Sequence, residues 1–181
     1  MKLDRKLNLV LNIESGHVHH APISKEVFER YFLPISKTFT RIYAEGLGSM
    51  AGPRVAAMML KKVAQDDNIW EGVDGVENGL MNEIRRLTNV VLPSEQGWST
   101  LPYYEALRQD MLDEDEVSEV ENALCFFTCA VSMHKKNERN VIVGAMTLFW
   151  GGQITSSGLM EFARSLPTST ADENTGEKAT A

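Results

Sequence analysis

His17, His19 and His20, three of the chain's four histidines, stand together in IESGHVHHAPIS, residues 13–24. Imidazole is the commonest metal ligand, so the cluster raises the question of a transition-metal site. On a strand, side chains alternate between faces. His17 and His19 then share one face and His20 takes the other, so only two of the three converge. Glu14 lies across a turn and His134 belongs to a distant helix. A set of two falls short of the four ligands of a structural zinc site. The three histidines are expected as surface residues of a strand, with no metal.

Cys125 and Cys129, the only cysteines, lie in ALCFFTCAVSM at a spacing that puts both on one helix face. They are expected as buried, reduced core residues, because free cysteine packs as a small hydrophobe. His134 follows Cys129 by five positions, roughly 140° around a helix, and does not complete a ligand set. Gly46, Gly48 and Gly52 in EGLGSMAGPR imitate a phosphate cradle but lack the Gly-Lys-Ser/Thr ending and a preceding strand. DDNIWEGVDGVENG has acids and glycines without the ligand order of a calcium loop. The acids of DEDE, residues 113–116, precede a long apolar run, where Asp113 and Glu116 suit a capping box. No serine sits in a nucleophile elbow and no cysteine in an exposed loop beside a histidine. The residues therefore point to no enzyme, no cofactor and no catalytic or metal-binding side chain, and they name no partner-contacting residue.

LNLVLNI, residues 7–13, alternates with the period of a half-buried strand. Ser15 and Gly16 supply a turn, and residues 17–22 return as the second strand of a hairpin. Ser24 is a good N-cap for a helix opening KEVFERYF, whose pattern runs across Pro34 to Gly46 as a kinked helix or two helices meeting at Leu33. Pro53 suits the first turn of a helix over about 53–65, and another is expected over about 76–91. Shorter or longer helices follow in LPYYEALRQDML, Val117 to Met133, NVIVGAMTLFW and SGLMEFARSL. After Pro167 no large apolar residue remains. A mainly α fold of the α+β kind follows: a short N-terminal β-hairpin at about 7–22, then a bundle of six or seven helices. One domain over 1–166 and a flexible, disordered polar tail over 167–181 are expected.

Hydrophobic residues make up 43% of the 181 and charged residues 24%, a balance that folds. A net charge of −7 without a basic stripe excludes a phosphate-tracking surface, hence nucleic acid. No apolar run reaches the roughly 18 residues of a membrane span. The N-terminal stretch MKLDRKLNLVLNIE does not read as a signal peptide, so a cytoplasmic protein is expected. Nine methionines are an unusual number for this length, and this flexible, polarizable side chain suits grooves that accept varied apolar helices.

The order of parts is also distinctive. A hairpin is followed by APISKEVFERYFLPISKTFTRIYAEGLGSMAGPRVAAMMLKKVA, GLMNEIRRLTNVV, DEDEVSEVENALCFFTCAVSMHKK and FWGGQITSSGLMEFARSLPTSTA. It resembles the tail assembly chaperones of long-tailed, non-contractile bacteriophages, of the siphovirus type. The resemblance implies a helical, acidic protein of the host cytoplasm that coats the tape-measure protein during tail assembly. It further implies recruitment of tail tube subunits and absence from the mature virion. Many members also occur in a longer form made by a programmed frameshift. Self-association is compatible with the composition. A structural tail completion or connector protein of the virion is the alternative that the same composition supports.

Overall fold

The computed structural model describes residues 7–135, 138, 139, 141, 144, 145, 147 and 151–167. The expected hairpin is present as β1 (Asn8–Ile13) and β2 (Gly16–His20). It is not, however, an appendage to a helical bundle. It forms the middle of a five-stranded antiparallel sheet of order β4-β3-β2-β1-β5, so the fold is α+β and the expected hairpin-plus-bundle architecture is overturned.

The additional strands come from segments with weak strand patterns. The helix expected over 76–91 stops at Arg86, where α4 (Asn82–Arg86) gives way to β3 (Thr88–Ser94). Thr88 Oγ1 donates to the Ile84 carbonyl at 2.7 Å and closes the helix end. The β-branched Thr88, Val90 and Val91 then favour the pleated conformation. Residues 95 and 96 turn the chain into β4 (Gly97–Pro102), which pairs with β3 from Ser94↔Gly97 to Asn89↔Pro102. β5 (Gly152–Thr155) pairs with β1. The sheet thus gathers three separate stretches of chain.

Elsewhere the helical reading holds with shifted boundaries. Ser24 caps α1 (Lys25–Arg30) by accepting from Val27 N. α2 (Phe32–Ala44) follows after a break at Tyr31, with Pro34 in its first turn, where the missing donor costs no intrahelical bond. α3 (Gly48–Asp66) begins five residues before Pro53, so most of the expected glycine loop is helical. Gly52 has to be small here: a Cβ would lie 2.5 Å from the Phe126 ring, so α3 closely crosses the helix that carries Phe126. A π-helical turn (Glu77–Met81) leads into α4. Beyond β4 come α5 (Tyr103–Arg108), α6 (Glu114–Met133) and α7 (Leu159–Ser165). The helix expected at NVIVGAMTLFW lies largely outside the described residues, as does the polar tail after Pro167.

Burial explains the layering. α6 is buried almost all round from Val120 to Val131, the pattern of a helix that is core on every side. The inner sheet face, with Leu9, Leu11, Val18 and Val90, joins Phe126, Phe127, Ile35, Ile42 and Leu60 in one apolar core. α2 and α3 both pack against α6. The outer sheet face carries a smaller core of Val10 and Val91, closed by Phe162 and Ala163 of α7.

The capping box is present: Asp113 Oδ1 accepts from Glu116 N at 2.8 Å, and Glu116 Oε2 accepts from Asp113 N. The Glu116 carboxylate also accepts from Ser15 N at 2.8 Å and from Ser15 Oγ at 2.7 Å. One side chain therefore fixes the start of α6 and the β1–β2 turn together.

Candidate partner-binding groove

The histidines divide between the two faces of β2 as the alternation requires, and His17 stays half-exposed, but the other two are not surface residues. His19 is 4% exposed and His20 wholly buried. On the outer face, His17 lies 5.1 Å from the Trp98 ring and 5.6 Å from Phe162, and burial lowers its pKa. His19 Nε2–H donates to the Ser157 carbonyl at 3.0 Å, and Asn8 Nδ2 donates to the same oxygen. On the inner face the Thr88 hydroxyl already donates to Ile84, so His20 Nδ1–H must donate to Thr88 Oγ1 at 2.9 Å. Its Nε2 has no hydrogen-bond partner and the ring meets Phe127 edge-on at 5.7 Å. Burial, then the neighbouring His19, push the His20 pKa down to about 3. These imidazoles are packing groups in two separate cores.

His134, at the end of α6, donates Nδ1–H to the Ala130 carbonyl and packs against Phe39, well apart from the other three. Cys125 and Cys129 are buried free thiols, as expected. Burial pushes the Cys129 thiol up to about 12 and raises Cys125 as well. Neither is a ready nucleophile. Cys125 Sγ contacts Met81 Sδ at 3.4 Å. Asp66 of the glycine- and acid-containing connection pairs with Lys62 and Arg41, and its neighbour Asp67 pairs with Lys37. Among the described residues, no three His, Cys, Asp or Glu side chains are grouped to hold a metal ion, and no helix is long and apolar enough to cross a membrane.

A concavity of another kind lies elsewhere among the described residues, an open groove of about 610 Å³. α3 forms one wall, α6 the floor, and the π-helical turn, α4 and the end of α5 the other wall. Its apolar lining includes Met58, Trp70, Met81, Leu107, Leu112 and Val117. Met58 is 58% exposed on the rim, while Met81 is buried at the base. Asn122 ties floor to wall: its Oδ1 accepts from Ala57 N at 2.9 Å, and its Nδ2 donates to the Ser118 carbonyl.

Charge in the groove is organised around Arg85. Its Nε and Nη2 donate to the two oxygens of Glu121 at 2.7 and 3.1 Å, and Nη1 donates to Glu77 at 2.8 Å. Burial lowers the Arg85 pKa, but the hydrogen bonds to Glu121 and Glu77 outweigh it and hold the guanidinium above its ordinary range. Tyr103 lies behind this network with an unpartnered hydroxyl, and burial followed by the Glu121 charge raises its pKa. Lys61 sits 5.6 Å over the Trp70 ring. Asp110 and Glu114 complete the lining, and neither carboxylate has an ion-pair partner among the described residues.

None of these groove residues was legible as a site in the sequence. Arg85 and Glu121 are 36 positions apart, and Cys125 and Met81 are 44 apart. The only available signal was the abundance of methionine, which indicates a kind of surface and not its location. A scan of protein families finds no match, and neither curated proteins nor solved structures provide one.

Proposed function

We propose that the protein is a tail assembly chaperone of a long-tailed, non-contractile bacteriophage. It binds the tape-measure protein in the host cytoplasm during tail assembly, helps recruit tail tube subunits and leaves before the virion is complete. The observation that carries the reading is the open groove between α3 and α6, with Met58 exposed on its rim and an apolar base. Such a groove suits the apolar stripe of a helix from a partner. The resemblance in the order of sequence segments supports the choice of partner. Weak contacts repeated along a long helical partner gain strength through multivalency, and net acidity keeps many copies soluble.

Co-expression with the tape-measure product of the same genome tests the proposal. The soluble fraction of the tape-measure protein should rise several-fold, and Met58→Lys should reduce the rise. An unchanged soluble fraction overturns the chaperone reading. Mass spectrometry of purified particles addresses the alternative, since a connector or completion protein would be present in stoichiometric amount and a departing chaperone would not.

A further inference from the structure

We infer that the α3–α6 groove selects cationic amphipathic helices, in which lysine or arginine borders the apolar stripe. The inference rests on the groove being the partner site, and specifies the chemistry of what enters it. Four carboxylates, Glu77, Asp110, Glu114 and Glu121, line the groove against two cations, Lys61 and Arg85. Arg85 is held by Glu77 and Glu121, and Lys61 rests over Trp70. The Arg85 cluster keeps one net negative charge, and Asp110, just beyond α5, and Glu114, in the first turn of α6, add two more that no ion pair among the described residues offsets. These acids line the same groove as Met58 of α3 and the apolar base.

Size and charge together favour a helix. A helix with side chains is about 10–12 Å across, too wide to be enclosed by a groove of this volume, but its stripe of large apolar side chains can be inserted. Its flanks then lie against the rims. Acidic flanks would meet Asp110 and Glu114 as like charges, whereas basic flanks would be attracted and would make contacts that weaken with salt. The net charge of −7 adds long-range attraction of the same sign.

Fluorescence anisotropy with three labelled peptides of about 18 residues, long enough to present several turns of one face, tests the inference. One is an amphipathic leucine/lysine helix, the second has glutamate at each lysine, and the third is a scramble of the first. At about 50 mM salt the leucine/lysine helix should bind at least about tenfold tighter than either other peptide. The double substitution Asp110→Asn and Glu114→Gln should weaken its binding by about three- to tenfold. These residues are suitable because Asp110 has φ 49°, which asparagine also tolerates, and Glu114 begins a helix that keeps its capping box. Met58→Lys should also weaken binding, and circular dichroism checks that each variant is folded.

Equal binding of lysine and glutamate helices overturns charge selection and leaves the chaperone reading standing. Equal binding of the lysine helix and its scramble shows attraction to surface charge alone and overturns the groove as the site. Absence of binding by all three also overturns it. Co-expression with the tape-measure product is independent of these outcomes: if solubilisation persists in Met58→Lys, the chaperone function survives without this groove.

Discussion

His20 shows how much of a residue's behaviour depends on what covers it. Its unfolded-state pKa is near 6.5, whereas the folded protein accepts the proton only near 3. The groups facing the ring are Thr88 of β3 and Phe127 of α6, with His19 adjacent on β2. Because the folded pKa is depressed, the unfolded chain binds the proton first as pH falls. Stability is full above 6.5 and declines through the window down to 3. The protein should be about 2 kcal/mol less stable at about pH 5 than at about pH 7.5, measured by urea denaturation. His20→Leu should lose less than half as much over that interval, and an equal loss would show that another group is responsible. Alternation along β2 correctly separated His20 from His17 and His19. It could not reveal that both faces are covered, because the covering residues, Phe127 and Phe162, are more than 100 positions away in the chain. The Arg85 network was hidden for the same reason: its members come from three elements and share no local spacing.

Among the elements, those with strong internal signals were legible. The β1–β2 alternation, the Ser24 cap and the Asp113–Glu116 capping box all appear where the residues place them. TNVV of β3 reads as the end of a helix because it continues the apolar pattern of NEIRRL without a glycine or proline, whereas the helix end is closed by the Thr88 hydroxyl on the Ile84 carbonyl. β4 and β5 have little pattern of their own, and depend on neighbours for their pairing. Glu116 also has a role that a local motif does not suggest, since it joins α6 to the β1–β2 turn. Glu116→Ala should cost about 2–3 kcal/mol, as expected for several hydrogen bonds to a carboxylate. Ser15→Ala should cost about 1 kcal/mol, and the double variant should be hardly worse than Glu116→Ala. Additive losses in denaturation midpoints would show that turn and helix are stabilised independently.

At the scale of the whole molecule, the sheet is the work of three stretches of chain, and the last of them closes it. β5 covers the edge of β1, Ser157 accepts from Asn8 and His19, and Phe162 seals the small outer core. Trp98 of β4 donates Nε1–H to the Pro167 carbonyl, so the same stretch reaches across to the opposite edge. The main core around α6 lies on the other face, and Ile154 of β5 is the residue of this latch that packs against it. Local opening free energies follow such divisions of buried contact. Phe162 is 5% exposed, and Phe162→Ala should cost about 3–4 kcal/mol and shift Trp98 emission to longer wavelength. In native-state hydrogen exchange, the amides of β5 and α7 should exchange faster in the variant through a local opening, while those of α6 should respond only as far as global stability falls. If α6 and β5 instead exchange through one common opening in both wild type and variant, the two faces of the sheet unfold as a single unit and the latch has no independent stability.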